Sequence, residues 1–156
     1  MNHAGDILFF HGHGALYERI IERGTHGPFC HVEVDLGDGL HSIGALGRGV
    51  ILHGAPDYDA VAHVGASCDP ARLATAVKWL EAQVGDCYSI ADILADGMKI
   101  LLPARTPFLV APSAYDCSKL AACFCAIAGY PLPAWMYADM ERVSPNDLAR
   151  AFGLIK

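Results

Sequence analysis

The sequence lacks clusters of basic residues and long uninterrupted apolar runs. Its 156 residues include 11 Lys and Arg against 17 Asp and Glu, which gives a formal net charge of −6. Because phosphate binding needs clustered positive charge, the scattered basic residues argue against a nucleic-acid partner. The apolar stretch at 100–102 is interrupted at Pro103, whereas a transmembrane helix needs roughly 20 apolar residues. We therefore expect a soluble protein without a transmembrane segment.

Signals of export are also missing. The chain does not open with a basic segment, an apolar run and a small-residue cleavage site, so no signal peptide is predicted. The 6 cysteines have neither CxxC spacing nor the density of a small disulfide-stapled scaffold. These features favour reduced thiols and a cytoplasmic location.

Enough apolar material is present for one core. Hydrophobic residues make up 53% of the chain, and the length fits a single domain covering residues 1–156. Apolar periodicity and glycine or proline punctuation predict strands at 7–10, 29–36, 40–45, 50–52 and 60–64, helices at 15–23, 70–84, 89–101 and 146–152, and a loop at 103–112. This order predicts an α+β fold, a small antiparallel sheet or barrel packed with helices.

Cys117 is the first candidate for chemistry. Residues 113–116 have the form of a capping box before the apolar run that begins at Leu120, which predicts Cys117 in the first turns of a helix. The free N–H groups and positive dipole end there favour a thiolate, and the N–H of Cys117 can help bind an oxyanion. The alternative is a small buried core residue, as we expect for Cys123 and Cys125.

His31 is the candidate base. It lies in the strand-like run 29–34 and shares a face with Glu33, since side chains two residues apart on a strand point the same way. A strand gives the imidazole the fixed direction that a general base needs. The alternative is a half-buried histidine bonded to a backbone carbonyl.

Several segments, in order along nearly the whole chain, resemble one superfamily. Residues 115–120 (YDCSKL) followed by 128–133 (AGYPLP) resemble the nucleophile helix of NlpC-type cell-wall peptidases. Residues 5–8 (GDIL) and 27–32 (GPFCHV) resemble the opening of the permuted YaeF/YiiX-type branch, in which the histidine strand precedes the cysteine helix. Residues 85–88 (GDCY) are similar to its G-x-x-Y segment, and residues 143–149 (VSPNDLA) to its closing helix start.

The resemblance implies a circularly permuted papain-like fold and a cysteine hydrolase, an amidase or peptidase that needs no cofactor. His31 would take the thiol proton, and Cys117 would attack a carbonyl to form an acyl-enzyme. Bacterial or phage relatives imply peptidoglycan stem peptides as substrate, which a cytoplasmic protein would reach by release or injection. Tyr88, by resemblance, lines the site or helps hold the oxyanion; the alternative is a core tyrosine.

The residue that orients the imidazole departs from the family pattern. Relatives carry a polar residue on the strand after the hairpin, where this chain has Ile43 and Gly44. Glu33 is our preferred third residue because it shares the face of His31 in any register.

Hairpin register decides the other candidates. A two-residue turn at 38–39 places Ser42 on the face of His31, and a three-residue loop at 37–39 places His41 there. Both stay open as site residues.

Other functions stay open as well. The permuted fold also resembles lecithin retinol acyltransferase-like enzymes, which implies hydrolysis or transfer of lipid or ester acyl groups. The missing third polar residue motivates a catalytically degenerate binding module.

Histidines and cysteine at 11, 13, 30 and 31 could ligate a metal, but their spacing matches no zinc pattern, and we predict no metal site. Lys119, where relatives often carry Gly or Glu, is interpreted as a solvated helix residue, and the oligomeric state stays open.

Overall fold

The computed structural model describes residues 4–47, 49–54, 62–65, 67–86 and 116–156. Within these ranges the chain forms an antiparallel five-stranded sheet packed with helices, which confirms the predicted α+β class. The strands are β1 (Ile7–His11), β2 (Phe29–Asp35), β3 (His41–Leu46), β4 (Gly49–Gly54) and β5 (Ala62–Val64). The helices are α1 (Leu16–Gly24), α2 (Pro70–Ala82), α3 (Cys117–Ala128), α4 (Ala134–Ala138) and α5 (Pro145–Ala151), with a 3-10 turn at Met140–Arg142.

The sheet places the histidine strand at its centre. The strand order is β4-β3-β2-β1-β5, so β2 has a partner on both sides. β2 pairs with β1 in a register that sets His31 opposite Phe10, and the register shifts between Phe10 and His11. β1 pairs with β2 from Phe29 to Val34, and β3 pairs with its C-terminal end at Val34 and Asp35, which fixes the backbone of β2.

One core joins the sheet to α3. Phe9 and Val32 are fully buried and belong to the same cluster as Leu120 and Phe124 of α3. Because α3 also packs against α2, most of its surface is covered and its sequence is apolar nearly all round. The start of α3 is thereby held against the sheet.

Side-chain caps mark the starts of α2, α3 and α5. Asp69 accepts hydrogen bonds from the N–H groups at the start of α2, and Ser144 forms a capping box with Asp147 at the start of α5. The start of α2 at Pro70 is the predicted one, and α5 begins at Pro145, one residue before the predicted start. The capping box predicted at 113–116 is wrong, because Asp116 itself is the N-cap of α3 and accepts from the N–H of Lys119 at 2.7 Å. Cys117 is therefore the first residue of the helix.

Other differences have local causes. The helix predicted to include Val84 ends at Ala82, because the chain turns at Gly85, which has a φ of +99°, to pair with Val50 of β4. The sequence did not predict α4 or the 3-10 turn, since both are too short for an apolar period to register. The segments 89–101 and 103–112 lie outside the described residues. Within the described ranges no helix is long and apolar enough to cross a membrane.

Candidate active site

Cys117 is held at the start of α3 by the cap of that helix. Asp116 has extended backbone angles and uses its carboxylate to accept from Lys119 and Ser118. The first N–H groups of a helix have no acceptor within it, so the N–H of Cys117 is left facing the end of the helix. The side chain belongs to the core cluster, and the residue is only 7% exposed.

His31 contacts Cys117 through its side chain. Its ring also packs on Phe10 with a centroid distance of 5.7 Å, and its side chain is 14% exposed. Burial by itself lowers the pKa of His31, but the negative charge and hydrogen bond of Cys117, with those of Glu33, outweigh it and raise the pKa to about 10. The structure thus brings the two residues predicted as nucleophile and base together.

Glu33 forms the second layer behind the imidazole. Its Oε1 lies 2.9 Å from Nε2 of His31, and its Oε2 accepts from Oγ of Ser42 at 2.5 Å. Burial raises the pKa of Glu33, but the hydrogen bonds and the charge of His31, the bond from Ser42 and the charge of His53 lower it below its usual value. The carboxylate is buried and paired, as a buried charge must be.

Gly44 makes room for this carboxylate. A Cβ at Gly44 would lie 2.8 Å from Cγ of Glu33, closer than real contacts allow. The space above Gly44 of β3 is thus occupied by a carboxylate supplied by β2. The group that bonds to the His31 imidazole comes from the same strand as His31 itself.

The hairpin register settles the two remaining candidates. Asp35 pairs with Ser42 and Val34 with Ile43, which is the register of the two-residue turn and puts Ser42 on the face of His31. His41 instead lies by Asp38, with Nδ1 2.6 Å from Oδ2. His41 therefore stays outside the cluster.

His53 is a member of the cluster that sequence reasoning missed. It lies on β4 opposite Ser42, and its Nε2 is 3.6 Å from Oε1 of Glu33. Side chains on β4 alternate between the two faces of the sheet. The pairing of Ser42 with His53 puts His53, and not Leu52, on the face of His31. The sequence leaves this pairing open, so it could not choose between the two residues.

A second missed residue, Asn146, ties the C-terminal helix to the histidine strand. Its Oδ1 accepts from the N–H of Phe29 at 3.0 Å, and its Nδ2 donates to the carbonyl of Phe29 at 2.8 Å and to Oγ1 of Thr25 at 2.6 Å. Asn146 is fully buried, and a Cβ at Gly27 would collide with it at 2.3 Å. The motif at 143–149 thus fixes the backbone two residues before His31.

The remaining predicted residues fall elsewhere. Tyr88 lies outside the described residues. The last described residue before it, Asp86, accepts a hydrogen bond at its backbone carbonyl from the N–H of Val50 at 3.0 Å. The interpretation of Lys119 as a solvated helix residue is wrong, because α3 is covered on nearly all sides. Lys119 is 7% exposed, and its Nζ lies 3.5 Å from Oε1 of Glu141. In the described part of the chain, no three or more His, Cys, Asp or Glu side chains are grouped as a metal site.

The cysteines of the described ranges are all free thiols. Burial raises the pKa of Cys30 to about 12, and the charges of Glu18 and Glu22 act in the same direction. Burial also raises the pKa values of the thiols at 68, 123 and 125. Among these described thiols, only that of Cys117 lies at a helix start beside an imidazole.

A thiol, an imidazole and a carboxylate that contact one another in this order can carry out covalent acyl transfer. The thiol supplies the nucleophile, the imidazole moves the proton, and the carboxylate holds the imidazole in one orientation. Neither the protein-family models nor the curated proteins include a match to this chain.

Proposed function

We propose that this protein is a cysteine hydrolase of the permuted papain-like kind, which cleaves an amide bond through an acyl-enzyme on Cys117. One observation carries the proposal: the thiol at the first position of α3 contacts His31, whose Nε2 is 2.9 Å from Oε1 of Glu33. Nucleophile, base and orienting group then stand in the order that thiol hydrolases require.

The proton balance of the reaction follows from this order. His31 takes the proton from Sγ of Cys117, and the thiolate attacks the substrate carbonyl carbon. The resulting oxyanion is stabilised by the N–H of Cys117. The imidazolium then gives its proton to the amide nitrogen as the C–N bond breaks, and the amine leaves. Water, deprotonated by His31, hydrolyses the thioester and restores the thiol.

The raised pKa of His31 supports the first step. With the imidazole between Cys117 and Glu33, its protonated form is stabilised, so the proton taken from the thiol is held near the reaction. Glu33 bonds to Nε2, so in this mechanism Nδ1 is the nitrogen that takes the proton from the thiol. The same arrangement argues against a degenerate binding module, since that alternative was motivated by the missing orienting group.

The substrate class follows from the resemblance. Residues 115–120 and 128–133 are similar to the nucleophile helix of NlpC-type cell-wall peptidases, which implies peptidoglycan stem-peptide amides. Lipid and ester acyl groups are the substrates implied by the likeness to lecithin retinol acyltransferase-like enzymes. Trapping of an acyl group on Cys117, detected as a mass increment on its peptide after incubation with muropeptides or with phospholipid, separates the two classes.

Thiol labelling tests the chemistry before a substrate is known. Iodoacetamide at about pH 6 reacts slowly with an ordinary thiol, whose pKa is near 8.5. We expect Cys117 to be alkylated about a hundredfold faster than the other thiols, and His31→Ala to abolish this advantage. Cys30, Cys68, Cys123 and Cys125 are internal controls, since the pKa of each is raised. Equal labelling of all cysteines would overturn the proposal.

A further inference from the structure

His53 is a histidine of the described cluster that the proposed reaction does not use. It lies on β4, directly opposite Ser42 in the β3–β4 register, and its side chain is 17% exposed. Within the described part of the chain, its Nε2 is fully buried and has no hydrogen-bond partner. A buried ring nitrogen without a partner costs free energy, so its position calls for an explanation.

Its nearest charged neighbour is the carboxylate that orients His31. Nε2 of His53 is 3.6 Å from Oε1 of Glu33, too far for a hydrogen bond but within the range of an ion pair. The same oxygen lies 2.9 Å from Nε2 of His31. Two imidazoles therefore converge on a single carboxylate oxygen.

The other oxygen of Glu33 is held separately. Oε2 accepts from Ser42, and Gly44 leaves no side chain on the third side. The carboxylate is thus held by groups from β2, β3 and β4. Of these contacts, the one from His53 on β4 is the longest, at 3.6 Å. Removing His53 would leave the Oε1 side of Glu33 facing an unfilled space, into which the carboxylate can rotate away from His31.

We propose that His53 is a positioning residue, which holds the carboxylate of Glu33 against His31 and thereby sets the orientation of the catalytic imidazole. This inference rests on the proposed function. The contact that matters in this role is that of Nε2 of His53 with Oε1 of Glu33, because this nitrogen is enclosed. Its effect reaches Cys117 only through Glu33 and His31.

A double-mutant cycle tests whether His53 acts through Glu33. His53→Leu should slow the alkylation of Cys117 at about pH 6 by about fivefold in the wild-type background and by less than about twofold in a Glu33→Gln background. His53→Gln, which keeps a hydrogen-bond donor, should retain most of the rate. His63→Leu is the matched control, since His63 is an exposed histidine on β5 at the opposite edge of the sheet, and it should leave the rate unchanged. Equal slowing by His53→Leu in both backgrounds, or none in either, would overturn the inference.

A spectroscopic readout separates this inference from the proposed reaction. The ¹⁵N shifts of the His31 ring report its hydrogen bond to Glu33 whether or not Cys117 is reactive. His53→Leu should move the His31 Nε2 signal in the wild-type background and leave it in place with Glu33→Gln. If Cys117 labelling proves independent of His31 while this shift appears, the proposed hydrolase fails and the positioning role of His53 stands. If labelling depends on His31 and the ring signal does not move, His53 has no positioning role.

Discussion

Oε1 of Glu33 lies 2.9 Å from Nε2 of His31, two residues earlier on the same strand. Side chains at this spacing share a face of the sheet, so one strand supplies both the base and the group that orients it. The pair does not depend on the hairpin register. A substitution at Glu33 therefore tests the orienting role directly.

Glu33→Gln keeps the shape of the side chain and removes its charge. The amide can still bond to Ser42, but it no longer stabilises protonated His31, so the pKa of His31 should fall toward 6.5. We expect Cys117 alkylation at about pH 6 to slow by about tenfold, which corresponds to about 1.4 kcal/mol. Asp38→Asn is the matched control, because Asp38 makes a similar pair with His41 at an exposed site, 2.6 Å apart. If both variants slow the alkylation of Cys117 equally, the effect comes from the loss of one negative charge and not from the orientation of His31.

Gly44→Ala should displace Glu33 without touching a charge. The added methyl group would lie 2.8 Å from Cγ of Glu33, so the carboxylate must move away from His31. Overpacking of this kind costs about 1–3 kcal/mol of the free energy of unfolding, measured by urea titration, and we expect slower Cys117 labelling as well. Gly54→Ala on the neighbouring strand is the control, since no described atom lies within 4 Å of the position that its methyl group would take. Unchanged labelling in Gly44→Ala would show that Glu33 does not orient the base.

The sequence predicted the groups whose placement depends on local geometry. Cys117 follows from a helix start before an apolar run, and Glu33 from its alternation with His31, so neither needs long-range information. The error at 113–116 did not change the predicted place of Cys117, since an Asp can stand either at the N-cap or at position N3 of a capping box. Both assignments place Cys117 in the first turns of α3.

The rest of the cluster depends on pairings that the sequence leaves open. Ser42 and His41 exchange faces with a one-residue change of register, and His53 lies two hairpin registers away from His31. The close approach of Gly44 to Glu33 exists only after the strands have paired. Asn146 meets Phe29 across 117 residues of chain, a distance over which periodicity carries no information.

His31 also makes the stability of the fold depend on pH. Its pKa is raised from 6.5 to about 10 in the folded state, so between these values the folded protein holds a proton that the unfolded chain has released. The resulting stabilisation is complete below pH 6.5 and is lost as the pH rises toward 10. The free energy of unfolding should therefore decline across this window in the wild type and decline less in His31→Gln. Urea unfolding at several pH values measures both curves.

The control for this pH dependence is a histidine at an exposed position. His63→Gln on β5 should follow the wild-type curve, because His63 is exposed. If the curve of His31→Gln runs parallel to that of the wild type, the pKa of His31 is not raised by folding.

Asn146→Ala should uncouple the C-terminal helix from the histidine strand. The substitution leaves the buried N–H and carbonyl of Phe29 without their partner, and unsatisfied buried groups cost about 1–3 kcal/mol each. We expect the free energy of unfolding to fall by about 3 kcal/mol, measured in urea. Since Phe29 is two residues before His31, labelling of Cys117 should also slow in the variant that remains folded.

Thr75→Ala provides the matched loss of a side-chain hydrogen bond away from the site. Thr75 donates to the carbonyl of Ala71 at 2.9 Å on the exposed face of α2, where water replaces the lost partner. Its free energy of unfolding should change by no more than about 0.5 kcal/mol, with Cys117 labelling unchanged. If Asn146→Ala destabilises the fold but leaves labelling at the wild-type rate, Asn146 stabilises the junction of α5 with β2 without setting the position of His31. If both quantities fall together, the C-terminal motif helps to build the site.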